Sequence, residues 1–278
     1  LHDARPHRHR AQSRPLRRRD LRGVEPAFGA YEHVDRPDDI HGGKRRIAAV
    51  VTPTVETIAM AITCFTRPAF RSRVVPVVVL HNPAHAVPLA HALLEGGIDV
   101  VEITLRSDAA LQAIEAVAQA VPQMHTGAGT VTRVEDVQRV LDAGARFALS
   151  PGCTDALVDA VKAAALPFIP GVMTPSEVMH RRAQGFRLMK LFPAAQAGGL
   201  GMLQALGAPL ADVQFCPTGG VSPENLQDYL RLPNVPMAGG SWLAPADVLA
   251  AGDWNAITQR ARQACALAAQ AGGPPARL

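Results

Sequence analysis

From Val74 onward the chain alternates short apolar, strand-like runs with helix-like segments, and this alternation restricts the fold more than any other feature of the sequence. Runs of buried-strand character are Val74 to Leu80, Asp99 to Leu105, Gln123 to Gly127, Phe147 to Ser150, Pro167 to Pro170, Phe186 to Phe192, Asp212 to Cys216 and Val235 to Ala238. Helical segments begin near Pro83, Asp108, Arg133, Thr154, Thr174, Gly198 and Ser222, and a closing stretch runs from Pro245 to Ala271. Several open on start signals: Asn82-Pro83, Ser107-Asp108, Thr174-Pro175-Ser176-Glu177 and Ser222-Pro223-Glu224. Strand-helix units of about 20 to 25 residues predict an α/β fold closed as a (β/α)8 TIM barrel, with a doubly wound open sheet as the alternative. Hydrophobic content of 48% with only 4% aromatics suits repeated Ala, Val and Leu layers. No uninterrupted run of about 18 apolar residues occurs, so no membrane span is expected.

Ahead of the alternation, residues 1–50 are rich in Arg, His, Pro and Asp and show no hydrophobic period. Of 28 basic and 24 acidic residues in the chain, 12 and 7 fall within residues 1–46, leaving the remainder almost neutral. This segment is expected to be a disordered basic leader outside the fold, with the functional unit starting near Val51. A helix is predicted over Thr54 to Thr63, the barrel over 51–271, and a flexible tail over 272–278. No nucleic-acid motif follows the leader, so no nucleic-acid partner is expected. Cys64, Cys153, Cys216 and Cys265 show no CxxC or Cys/His metal spacing and read as small core residues or bystanders near a site. No metal is expected, and the cysteine usage favours a reducing cytoplasm.

The chain has three lysines, Lys44, Lys162 and Lys190. Only Lys190 lies in an apolar strand-like run, Phe186 to Pro193, where burial disfavours the ammonium and favours a nucleophilic amine. Arginine cannot attack a carbonyl, so imine chemistry falls to Lys190. A snorkelling or ion-paired lysine is the structural alternative.

In a barrel, the C-terminal strand ends and the loops that follow them form the active site. Glu102 and Arg106 end the second run; Thr130 follows Gly127-Ala128-Gly129 after the third; Lys190 lies in the sixth. An amine for a keto carbon, a carboxylate for protons and a guanidinium for a substrate carboxylate are complementary roles. Taken singly, Glu102 could pair with an arginine, Arg106 could be a solvated rim charge and Thr130 a helix cap. Gly219-Gly220 and Gly239-Gly240-Ser241 follow the seventh and eighth runs, where paired glycines leading into helix N-termini offer N–H groups to a phosphate.

The motifs Val101-Glu102-Ile-Thr-Leu-Arg106, Gly127-Ala-Gly-Thr130, Phe147-Ala-Leu-Ser-Pro-Gly152, Lys190-Leu-Phe-Pro-Ala194, Phe215-Cys-Pro-Thr-Gly-Gly220 and Gly239-Gly-Ser-Trp242 closely resemble the bacterial 2-keto-3-deoxy-6-phosphogluconate (KDPG/KHG) aldolases over roughly Val51 to Ala271. The resemblance implies a cofactor-independent class I lyase of the Entner-Doudoroff pathway. It would cleave 2-dehydro-3-deoxy-6-phospho-D-gluconate to pyruvate and D-glyceraldehyde 3-phosphate, as a homotrimer. It implies Lys190 as Schiff-base lysine, Glu102 as general acid/base, Arg106 and Thr130 on the pyruvate carboxylate, Phe192 beside the imine, and Gly219, Gly220, Gly240 and Ser241 at the phosphate. Leu191 and Met173 depart from the commoner residues of the family. An aldolase for the 6-phosphogalactonate epimer or for 4-hydroxy-2-oxoglutarate, and a non-aldolase phosphosugar-binding barrel, are the alternatives.

Overall fold

The computed structural model describes residues 70–272. The leader, the Thr54 to Thr63 helix and the tail beyond Gly272 lie outside the described residues. The strands are β1 (Val74–Val78), β2 (Val100–Thr104), β3 (His125–Gly129), β4 (Phe147–Leu149), β5 (Phe168–Ile169), β6 (Gly171–Val172), β7 (Leu188–Leu191), β8 (Gln214–Pro217) and β9 (Ala238–Gly240). A 3-10 turn (Pro83–His85) precedes α1 (Ala86–Glu95), followed by α2 (Ala110–Ala120), α3 (Val134–Asp142), α4 (Asp155–Ala163), α5 (Pro175–Ala183), α6 (Gly199–Gly207), α7 (Leu226–Arg231), α8 (Ala246–Ala251) and α9 (Trp254–Gln270).

Every pairing is parallel, in a six-stranded sheet ordered β5-β4-β3-β2-β1-β9 and a three-stranded sheet ordered β6-β7-β8. The two sheets meet twice. Only Pro170 separates β5 from β6, and a Thr218–Gly239 bridge links the end of β8 to β9. The result is a curled parallel sheet clad in helices. Parallel strands covered this way are buried on both faces, which is why they read as continuous apolar runs. Every residue of β2 and β7 is buried, and Leu89, Leu93, Ile114 and Val117 seal the sheet from α1 and α2. Each such side chain contributes about 1.5–3 kcal/mol.

Local signals explain the helix starts. Thr174 caps α5 with a capping box: its Oγ1 accepts from Glu177 N at 3.3 Å, while Glu177 Oε2 accepts from Thr174 N at 2.8 Å. Asn82 accepts from Ala84 N ahead of α1.

Several predicted boundaries move. The fifth run, Pro167 to Pro170, continues past Pro170 as β6, because proline has no N–H for the ladder although its carbonyl still accepts from Lys190 N at 2.8 Å. The third run shifts forward to His125–Gly129, since Val121 to Met124 form a turn, and this puts both glycines inside the strand. The eighth shifts likewise to Ala238–Gly240, with Val235 N donating to Leu232 O in a turn. The Ser222 helix starts only at Leu226, because Asn225 Oδ1 accepts from Ser222 N and holds a turn first. The closing stretch breaks at Gly252, whose φ is +64°, and Asp253 caps α9 through Ala256 N.

Candidate active site

Lys190 lies on β7 in register with Gly171 of β6 and Cys216 of β8. Glu102 lies on β2 in register with Val77 of β1 and Gly127 of β3. The curl of the sheet points both side chains at one another. Lys190 Nζ donates to Glu102 Oε1 at 2.9 Å and Oε2 at 3.3 Å, with the two side chains 5% and 1% exposed. At that burial the pair is held in low dielectric, where each charge needs the other. A methyl group on Gly129 would run into the Glu102 carboxylate, so the third strand's glycine makes the room that Glu102 occupies. Phe192 sits with its ring centroid 5.5 Å from Lys190 Nζ.

The surroundings of Lys190 are therefore not the plainly apolar setting that its strand suggests. A carboxylate meets it, and a thiol flanks it. Burial pushes the Cys216 thiol up to about 12, outweighing the opposing pull of the Lys190 ammonium. Cys216 is thus a neutral S–H in the wall beside the amine.

Arg106 and Thr130 sit just past the ends of β2 and β3. Arg106 is exposed, and its guanidinium has no partner among the described residues. Thr130 has φ +60° and is not a cap, since the N-cap position of α3 is Arg133. With Leu105, Ser107 and Asp108 it lines a cavity of about 320 Å³ between the loops after β2 and β3.

The glycine loops are brought side by side by the Thr218–Gly239 bridge. Gly219 and Gly220 have φ of +94° and +84°, a region that disfavours any side chain. Their loop is hooked to the chain after β7 by Ala194 N to Thr218 O at 2.8 Å and Ala195 N to Gly219 O at 3.0 Å. Neither glycine pair leads directly into a helix. α7 and α8 begin several residues later, at Leu226 and Ala246, because turns intervene, so any anion donors here are loop amides. Gly240 is buried and Ser241 exposed.

Among the described residues no group of three or more His, Cys, Asp or Glu side chains is placed to hold a metal ion. Nor is any described helix long and apolar enough to cross a membrane.

A family model described as KDPG and KHG aldolase matches residues 68–260. The chain belongs to the KDPG and KHG aldolase family. The 2-dehydro-3-deoxy-phosphogluconate aldolase of Pseudoalteromonas atlantica is 52% identical over 196 residues, 70% of this chain and 91% of that relative. Among solved structures, the KDPG aldolase of Legionella pneumophila, with pyruvate captured at low pH as a covalent carbinolamine intermediate, superimposes with TM-score 0.69 at 40% identity, covering 74% of this chain and 98% of that one. The 2-keto-3-deoxy-6-phosphogluconate aldolase of Zymomonas mobilis ZM4, solved with 3-phosphoglycerate, gives TM-score 0.68 at 36% identity, covering 75% and 95%.

In this family member, the sequence-based reading assigned no role to Ser150, Thr218 or Trp242. Ser150 Oγ accepts from Gly171 N at 3.2 Å and so fixes the strand beside Lys190. The signal for Ser150 was a polar residue at the end of an apolar run; its partner, 21 residues away, was not legible.

Proposed function

We propose that this chain is a class I aldolase cleaving 2-dehydro-3-deoxy-6-phospho-D-gluconate into pyruvate and D-glyceraldehyde 3-phosphate. The observation that carries this reading is the buried Lys190–Glu102 contact of 2.9 Å inside the parallel sheet of a KDPG and KHG aldolase family member. The two junctions between sheets, at Pro170 and at the Thr218–Gly239 bridge, support a ring closed as a (β/α)8 barrel, with the site at its C-terminal mouth.

In the proposed cycle Glu102 takes a proton from Lys190, and the free amine adds to C2 of the keto acid. The carbinolamine oxygen, protonated through Glu102, leaves as water, and the resulting iminium is the electron sink. The Glu102 carboxylate, now deprotonated, takes the C4 hydroxyl proton, C3–C4 breaks, and that electron pair forms the enamine. The aldehyde departs, Glu102 returns the proton to C3 of the enamine, and water adds to C2 of the resulting iminium to release pyruvate and restore the amine. Arg106 and Thr130 hold the carboxylate, Phe192 packs beside the imine, and Gly219, Gly220, Gly240 and Ser241 receive the phosphate. The iminium performs the electrophile's task, so the cycle calls for no metal.

The test is borohydride reduction in the presence of pyruvate, followed by intact mass and peptide mapping. One pyruvate-derived adduct on the Lys190 peptide is expected; a folded protein without it rejects the mechanism. Cleavage of 4-hydroxy-2-oxoglutarate is a second activity of the same site, favoured by the family match, and shares the pyruvate half. The same reading takes residues 51–271 as the aldolase unit, which contains the matched 68–260, and the leader as lying outside it. It places the enzyme in the cytoplasm as a homotrimer in the Entner-Doudoroff pathway.

A further inference from the structure

The glycine pair after β8 and the pair after β9 are glycines for different physical reasons. Gly219 and Gly220 need their positive φ, whereas neither Gly239 nor Gly240 has one. What excludes a side chain at Gly239 and Gly240 is contact. A Cβ on Gly239 would lie 2.5 Å from Thr218 Oγ1, and one on Gly240 would overlap the six-membered ring of Trp242. The strand end is therefore clamped twice, by Thr218 on one face and by the Trp242 ring on the other. Successive residues of a strand face opposite ways, so the two clamps act from opposite sides of the backbone.

Trp242 is itself anchored. Its ring packs partly buried against the core, its carbonyl accepts from Arg260 Nη1 of α9 at 3.3 Å, and the next residue, Leu243, is 0% exposed. Between the ring-covered Gly240 and the buried Leu243, Ser241 is left exposed, its carbonyl closing a turn with Ala244 N at 3.3 Å. The indole therefore lies directly against the Gly240 backbone, one residue before the exposed Ser241.

We propose that Trp242 is a positioning residue for the phosphate end of the substrate, acting through the Gly239–Ser241 backbone, with Arg260 as its outer brace. The claim rests on the aldolase reading above and deepens its phosphate site. It separates the two halves of the substrate: the phosphate end depends on the indole, and the pyruvate end, on Lys190 and Glu102, does not.

The experiment compares wild type, Trp242→Ala, Trp242→Phe and Arg260→Met on the phosphorylated keto acid and on unphosphorylated 4-hydroxy-2-oxoglutarate. In Trp242→Ala the ratio of kcat/KM for the phosphorylated over the unphosphorylated substrate falls roughly tenfold, the scale of one charge-assisted hydrogen bond, and the fall appears in KM. The rate of borohydride trapping with pyruvate is retained, Trp242→Phe recovers most of the ratio because an aromatic ring still covers Gly240, and Arg260→Met gives a smaller fall. An unchanged ratio, or an equal loss on both substrates and in trapping, overturns the proposal. If Trp242→Ala fails to fold by thermal melt, the Arg260→Met ratio decides: a fall with pyruvate trapping retained supports the proposal, and an unchanged ratio overturns it. If wild type neither traps pyruvate nor cleaves either substrate, the aldolase reading fails separately. Calorimetry with inorganic phosphate then decides this claim: weaker binding by Trp242→Ala supports it, and equal or absent binding in both overturns it.

Discussion

Lys190 and Glu102 are separated by 88 residues yet share a hydrogen bond at 2.9 Å, and that contact changes what each substitution would do. Removing one partner of a buried pair leaves a lone charge and costs about 3–5 kcal/mol. Lys190→Ala, which the strand alone would predict to fold normally, is therefore expected to lose nearly all activity and also to melt lower, whereas Lys190→Met combined with Glu102→Gln recovers stability but not turnover. Thermal melts alongside single-turnover assays separate the two effects. Glu102→Gln is expected to slow turnover roughly 10²–10⁴-fold, the usual weight of a general acid/base, while still yielding a trapped pyruvate adduct. Gly129→Ala makes a third case. Its methyl group displaces the Glu102 carboxylate, so kcat falls with Glu102 itself untouched. Steady-state kinetics that match wild type would show that Glu102 relaxes without loss. The candidate lysine was legible because lysine is scarce and one of three falls in an apolar run. Glu102 was legible as the site's carboxylate, but its direct contact with Lys190 was not, because an arginine was an equally reasonable counter-ion until the strands were in register.

At the scale of elements, α4 and α5 are tied by Asp155, the first residue of α4. Its carboxylate accepts from His180 Nε2, Arg181 Nη1 and Gln184 Nε2. These contacts, His180 foremost, hold it at about 2, below the ordinary 3.8. A carboxyl whose folded value is depressed stabilises the fold above its unfolded value, and that contribution is lost as pH falls through the folded one. The melting temperature of Asp155→Asn is therefore expected to lie below wild type at neutral pH, with the gap closing between about pH 4 and pH 2. Because the carboxylate is exposed, the gap is small; a gap that persists at low pH would assign it to packing instead. Helix starts of this kind were readable in the sequence, since Thr174-Pro175-Ser176-Glu177 states its own capping box. Strand ends were less so. Apolar runs extend into turns on either side, and only ladder partners decide where pairing stops, as the forward shifts of β3 and β9 show.

For the molecule as a whole, deletion of residues 1–50 is expected to leave kcat/KM and the number of subunits per oligomer unchanged. Loss of either would place the leader within the working enzyme. Sedimentation equilibrium is expected to return three times the 29.4 kDa chain, and a monomer would remove the homotrimer from the proposal. The sequence by itself determined the class of fold, because alternating strand and helix periods with apolar strands admit only a helix-clad parallel sheet. It also determined which side chains carry nucleophilic, acidic and cationic chemistry, because those are properties of residue types. Only the tertiary structure decided who meets whom. Curling the sheet puts β2 opposite β7, so Lys190 faces a carboxylate rather than apolar surface, with Cys216 alongside. The same curl lays β9 against β8, and the loop beyond β9 folds back so that an indole, not a backbone dihedral, dictates Gly240. Contacts across such distances in sequence follow from closure of the sheet, which no local period encodes.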